Sequence, residues 1–137
     1  TFMQKHVDCW DGRSWSWYGD GGFAVFHGED AAPMSVLSMA SIVNYLPVFN
    51  MTQNELRPEN DVRLRIGMHY GTCVYQQDVN KITSPDMKIT GDVEKYAAEP
   101  NSVALTDALH RLLPDEVRKR FELSTEYNGS RVYKYYP

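Results

Sequence analysis

The sequence predicts an α+β fold, a sheet with helices packed against it. Three observations carry that prediction. Several short stretches alternate apolar and polar residues with a period of two, as half-buried strands do. Two longer stretches repeat their apolar residues at helical spacing instead. The chain then closes on "FELSTEY" and "SRVYKYYP", two strand patterns joined by Asn128-Gly129, a strong hairpin signal. The resulting order is ββαββαβαββ.

The elements follow in turn. "RSWSWYG" places Trp15 and Trp17 on one face and Ser14, Ser16 and Tyr18 on the other; "GFAVF" continues after a turn, so residues 7–28 read strand, turn, strand. From Glu29 the pattern becomes helical, with an acidic start, Pro33 near the first turn, and Val36, Met39, Ala40, Val43 and Leu46 on one stripe. Pro47 is expected to end or kink it. Residues 50–60, "NMTQNELRPEN", read as a polar connection. "DVRLRIGMHYG" then alternates, with Val62, Leu64, Ile66 and Met68 opposite Arg63, Arg65 and Gly67. "TCVYQQ" reads as a second strand and "DVNKIT" as a loop. Residues 84–101 read as a helix capped by Ser84, with Pro85 first, Asp86 in the opening turn and Gly91 weakening it. "SVALT" is a short buried strand, after which Thr106 caps "DALHRLL"; the "RKR" at 118–120 is charge at a helix end.

With 137 residues, 42% of them apolar and 23% charged, the chain reads as one soluble globular domain spanning residues 1–137. It opens without Met, and we expect that domain to be incomplete at its N-terminus. No uninterrupted run approaches the roughly 18 apolar residues of a membrane span. Cys9 and Cys73 are isolated, without metal spacing, which favours a reducing, cytoplasmic setting. A net charge of −4 argues against bulk electrostatic binding of nucleic acid, while leaving room for a small phosphate-bearing molecule.

Asp20 stands at the tip of the apolar hairpin "WSWYGDGGFAVFHG". Turn chemistry accounts for it, since Asp-Gly suits a tight hairpin turn. The alternative is that its carboxylate is a ligand.

Four stretches, in order, resemble the catalytic domain of class III nucleotide cyclases, the adenylate and guanylate cyclase family. "WYGDGGFAVF" is similar to the family's metal-binding hairpin, K/W-x-x-G-D-G-x-x-A-x-F. "LRIGMHYGTCVY" is similar to its R-I-G-x-H-x-G-x-V strand pair. "SPDMKITGDVEKYAAEPNSVALTDALHRLL" sits where the family has G-x-x-V-N-x-A-A-R-L and then A-x-P-G-x-I-x-V-S. "GSRVYKYY" resembles the closing strand. The resemblance implies a ferredoxin-like cyclase sheet with helices packed on it, here lacking the family's first strand. It also implies conversion of a nucleoside triphosphate to a cyclic mononucleotide and pyrophosphate, for second-messenger signalling, by a homodimer. Asp20 would then ligate Mg²⁺ or Mn²⁺ in a two-metal site shared with an upstream carboxylate.

The resemblance departs from the family in one helix. Lys88 falls at the Asn that orients the ribose and Asp92 at the Arg that stabilises the transition state, both of which act across the dimer on the partner's half. Lys88 or Lys95 could restore a cation, although a lysine is a point charge rather than a planar fork. The plain reading of Lys88, Glu94 and Lys95 is a solvated helix face. His69 fits a packing position and has no assigned role. The base-reading positions fall on Ser16 and Lys81, a pair that matches neither adenylate nor guanylate cyclases. Lys81 only donates, so ATP is expected to be the poorest substrate. Arg131 matches a phosphate-contacting cation or a surface ladder residue. Divergence of this kind resembles the bacterial antiphage pyrimidine cyclases. The alternatives are a catalytically inactive cyclase homology domain that binds nucleotide or dimerises, and an unrelated ferredoxin-like interaction module.

Overall fold

In the computed structural model the described residues are 13–18 (backbone only), 21–53, 61–72 and 84–137, with Lys5 and Glu59. Four strands form one sheet: β3 (Arg65–Met68), β4 (Ser102–Thr106), β5 (Glu122–Tyr127) and β6 (Ser130–Tyr135), in the spatial order β3-β4-β6-β5. β3 and β4 run parallel, while β6 is antiparallel to both β4 and β5. β1 (Arg13–Tyr18) and β2 (Gly21–Val25) form a separate antiparallel pair. The helices are α1 (Ala31–Gln53), α2 (Pro85–Asp92), α3 (Asp107–His110) and α4 (Asp115–Arg118).

Every residue of β4 is buried, as befits a parallel strand covered on both faces. Its alternation splits the interior in two. Val103 and Leu105 join Val36, Met39, Ile42 and Val43 of α1, with Ile66 and Met68 of β3. Ala104 instead joins Val132, Val93, Ala97 and Ala98. The sheet is therefore covered by α1 on one face and by the α2 segment on the other.

α1 differs from expectation at its C-terminal end: it runs through Pro47 to Gln53. Buried contacts hold it on both sides of the proline. Leu46 lies in the interior, and the Asn50 amide exchanges two hydrogen bonds with the Val62 backbone, at 2.8 and 3.1 Å. The helix is long and apolar enough, by length and composition alone, to cross a membrane, which the sequence reading did not anticipate. Here its buried stripe packs on the sheet. Two of its serines bond its own backbone, Ser35 to the Ala32 carbonyl and Ser41 to the Ser38 carbonyl.

β3 is shorter than its alternating pattern, because side chains take over the backbone partners of the residues before it. The Leu64 N–H donates to Asn101 Oδ1, and the Asn101 N–H donates to the Leu64 carbonyl. Asn101 stands in the left-handed region, at φ 61°, which asparagine tolerates better than most residues and where the cyclase pattern has glycine. The second strand expected at 72–77 is absent at Thr72, and its remainder lies outside the described residues.

α2 is capped as expected: Ser84 Oγ accepts from the Met87 N–H and Pro85 opens the helix. Residues Val93–Ala97 then form a π-helical turn, closed by the Ala98 N–H on the Val93 carbonyl. Such a turn takes up one extra residue. The Asn128-Gly129 hairpin is as predicted, with both residues at positive φ.

Candidate functional site

β3 shows why "RIGMHYG" has the residues it has. Ile66 and Met68 enter the interior, so Arg65 and Gly67 face the α2 side. A Cβ on Gly67 would lie less than 3.0 Å from the backbone of Glu94, so glycine is needed here for close approach rather than for a turn. Arg65 Nε donates to Glu94 Oε1 at 3.2 Å, an exposed pair of modest worth.

His69 follows β3 and binds two elements at once. Its Nδ1 is 2.7 Å from Thr106 Oγ1 at the end of β4, and its Nε2 is 2.9 Å from Asp86 Oδ1 in the first turn of α2. The other oxygen of Asp86 accepts from the Thr72 N–H at 2.9 Å. That backbone donor first, and His69 second, hold the Asp86 carboxyl below its ordinary value. Gly71 is pressed against the same carboxyl, leaving no room for a Cβ. Thr106 does occupy the N-cap position of α3, but its side chain makes no capping bond; the hydroxyl faces His69 instead.

Gly67, His69, Gly71, Thr72 and Asp86 line a gap of about 750 Å³ between β2 and β3. One side is β3 with its exit loop, the α2 residues Asp86 and Thr90, and Glu94 of the π-helical turn; the other is β2; Ala32, Ser35 and Met39 of α1 contribute the apolar part. Among the described strands, β2 pairs only with β1 and β3 only with β4, so one edge of each faces the cleft unpaired.

The residues singled out from the sequence are distributed unevenly around it. Ser16 lies on β1, paired in register with Phe23, beside a bulge that interrupts the expected alternation at Trp15. Tyr18 pairs with Gly21, and Gly21 and Gly22 line the cleft; Asp20, just before them in sequence, lies outside the described residues, as does Lys81. Lys88 is on the face of α2 away from the cleft, where its Nζ donates to Asp92 Oδ2 at 2.9 Å. Asp92 also accepts from the Tyr127 hydroxyl. Tyr127, then Lys88, keep the Asp92 carboxyl below its ordinary value, while Asp92 raises both the Lys88 ammonium and the Tyr127 phenol. Lys95 is exposed on the same side, its Nζ 5.3 Å from the centre of the Tyr96 ring. Arg131 is exposed on β6, opposite Glu126.

Among the described residues no group of three or more His, Cys, Asp or Glu converges to hold a metal ion. The described cleft carboxylates are already engaged, Asp86 by His69 and Thr72 and Glu94 by Arg65. A metal reading therefore rests on Asp20. Sequence reasoning missed the His69–Asp86 pair. Its signal was a histidine and an aspartate at the ends of two elements, whose meeting depends on the path of the chain between them.

A four-stranded mixed sheet with helices on both faces, and a hairpin set across a cleft from its parallel edge, is the fold of class III nucleotide cyclase domains. The adenylate/guanylate cyclase/hydrolase from Silicibacter pomeroyi superposes with a TM-score of 0.78 at 19% identity, over 98% of this chain and 78% of that one. The guanylate cyclase domain of RhGC from Catenaria anguillulae, in complex with GTP, gives 0.70 at 13% identity, over 96% and 75%. An adenylate cyclase from Trypanosoma brucei, in its monomeric state, gives 0.64 at 17% identity, over 97% and 74%. No protein-family model matches the chain, and no curated protein matches it in sequence.

Proposed function

We propose that this chain is the catalytic domain of a divergent nucleotide cyclase. In this reaction the 3′-hydroxyl oxygen of a nucleoside triphosphate bonds to the α-phosphorus, the bond to the β-phosphate bridge breaks, and pyrophosphate leaves as the hydroxyl proton is lost. The observation that supports it best is the fold, which superposes on adenylate and guanylate cyclase domains with TM-scores from 0.64 to 0.78. Asp20 would hold Mg²⁺ or Mn²⁺ together with a carboxylate from outside the described residues. The ion would neutralise phosphate charge and acidify the hydroxyl. Ser16 and Lys81 are the proposed base-reading pair, and Arg131 a phosphate contact. Lys88 and Lys95 face away from their own cleft, which suits cations that serve a second copy in a homodimer.

One observation favours the second reading, an inactive cyclase homology domain. Asp92 occupies the place of the transition-state arginine and engages Lys88 in an ion pair. Loss of such a cation costs orders of magnitude in rate. The two readings separate on incubating the full-length protein with Mn²⁺ and each of four nucleoside triphosphates. We expect a cyclic product, ATP as the poorest substrate, and loss of metal–nucleotide binding in Asp20→Asn. Preferential use of ATP refutes the base assignment. Unchanged affinity in a folded Asp20→Asn protein reduces Asp20 to turn chemistry.

A further inference from the structure

α1 carries no charged residue along its 23 positions, and apolar side chains stand on its outer face as well as its inner one. Val36, Met39, Ile42 and Val43 form the stripe packed on the sheet. Leu37, Val48 and Met51 fall on the opposite side of the helix, 37%, 45% and 63% exposed. A helix that is apolar all round is ordinarily covered all round, whereas half of this one faces outward. The outer face also has an internal symmetry. Asn44 stands at its middle, with Leu37 and Met51 equally far before and after it, and Ala40 and Val48 likewise. The face therefore reads alike in both directions, as a twofold axis through Asn44 requires when two copies of a helix meet antiparallel. Asn44 can be covered without orphaning a polar group. Its Nδ2 donates to the Ala40 carbonyl, and its amide exchanges bonds with the Tyr135 hydroxyl, at 2.8 and 3.0 Å.

We propose that the outer face of α1 is an interface with a second copy of this chain, the two helices antiparallel about Asn44, so that Leu37 of each meets Met51 of the other. Charge favours this occupant. The chain has a net charge of −4, and a twofold contact sets each charge of a patch near its own image; the α1 face has none to repel. A bilayer is the poorer fit, because helices that lie on membranes carry Lys and Arg along their polar side, while α1 has neither and follows Glu29 and Asp30. Size sets the strength. From Leu37 to Met51 the face is about 21 Å long and roughly 10 Å wide. A pair would bury on the order of 800 Å² in total, below the roughly 1,200 Å² of stable complexes, so the association is weak and reversible. α1 and the α2 segment with Lys88 and Lys95 cover opposite faces of the sheet. The contact is thus separate from a catalytic homodimer that uses those lysines, and the two can coexist.

The test is sedimentation velocity of the full-length protein from low micromolar to near-millimolar concentration, for the wild type, Leu37→Glu, Met51→Lys and the double variant. We expect the wild type to associate reversibly, doubling its mass in one step. Each single variant sets an unpaired charge in the apolar contact and should raise the dissociation constant of that step by roughly 10-fold or more. In the double variant each new glutamate meets the new lysine of the other copy, so association should return. The two substituted positions lie too far apart on one helix to pair within a copy. Both side chains are exposed, so the variants should keep the wild-type urea midpoint; if Leu37→Glu does not fold, Val48→Glu on the same face replaces it as the single variant, with the same expectation. A wild type that does not associate, or a folded single variant that associates as the wild type does, overturns the proposal. A double variant that stays dissociated overturns the antiparallel pairing on which it rests. Flotation with phosphatidylcholine–phosphatidylglycerol vesicles, lost in Leu37→Glu, would assign the face to a membrane instead and overturn it too.

Discussion

The two sides of the cleft are built differently. On the sheet side, β4 is buried along its whole length and two apolar clusters flank it. Gly67 brings the Glu94 backbone against β3, and Asp86 bonds His69 and Thr72. On the hairpin side, no residue of β2 is fully buried, and among the described strands its only partner is β1. Shape on the first side is fixed by close packing and by polar groups with defined partners. On the second it depends on whatever lies along the free edge of β2.

The largest expected contrast comes from truncating one side chain on each side. Leu105 is 0% exposed, and Leu105→Ala should cost about 3 kcal/mol, the transfer loss plus an unfilled cavity. Phe23, half-buried on β2, should cost about 1 kcal/mol when replaced by Ala, since much of its surface is already wet. Urea denaturation of both variants measures the difference. Equal costs would mean that the hairpin is anchored as firmly as the sheet.

A smaller contrast lies between two glycines that both line the cleft. Gly67→Ala sets a methyl group against the Glu94 backbone and should destabilise by about 2 kcal/mol, as overpacking does. Gly91→Ala meets only the Phe23 ring, at an ordinary 3.7 Å, and should stabilise by about 0.5–1 kcal/mol through helix propensity. The opposite signs, read from the same denaturation curves, locate the close approach at β3. A destabilising Gly91→Ala would show that the two sides meet more tightly than the separation of Gly91 from Phe23 implies.

The division also explains what was legible in the sequence. "SVALT", the Asn128-Gly129 turn and the Ser84-Pro85 cap are local signals, and each stands where its pattern places it. The α+β class followed from them, whereas the expected order had a strand at 72–77, which is absent at Thr72, and one helix between β4 and β5 where there are two. β3 was overestimated because Val62 and Leu64 fit the alternation, while their backbones bond the Asn50 and Asn101 side chains, partners distant in sequence. Pro47 was expected to end or kink α1; the helix does not end there, and Leu46 and Asn50 are buried on either side of the proline. The cleft wall was illegible for the same reason: His69, Asp86 and Thr106 each have a good local reading, as packing residue, first-turn acid and cap. Only the fold brings them within hydrogen-bond distance. Lys88 had two readings, a cation implied by the cyclase resemblance and a solvated helix face; its spacing to Asp92 also permits the i,i+4 ion pair that the structure contains.

The smallest effect concerns acid and a histidine on the sheet side. His110 stacks flat on Tyr133, with ring centres 3.6 Å apart, and its Nε2 is buried without a hydrogen-bond partner. Desolvation, the dominant influence, holds the imidazole below its ordinary value of 6.5; the Arg118 guanidinium adds to that, while a bond to the Arg118 backbone and the Asp107 charge oppose it. The unfolded chain takes up a proton near 6.5, whereas the folded protein resists until lower pH. Over that interval the unfolded state binds more protons, so this contribution to stability is complete above about pH 6.5 and is lost as pH falls below it. Asp86, whose carboxyl is lowered from an ordinary 3.8, adds its own loss only in stronger acid. The two groups therefore act in separate windows. Denaturation midpoints collected from pH 7.5 to 4.5 should decline for the wild-type protein and stay nearly flat over the upper part of that range for His110→Phe, which keeps the ring stacked on Tyr133. An equal decline in both proteins would assign the acid sensitivity to other groups and leave the two sides of the cleft alike in this respect.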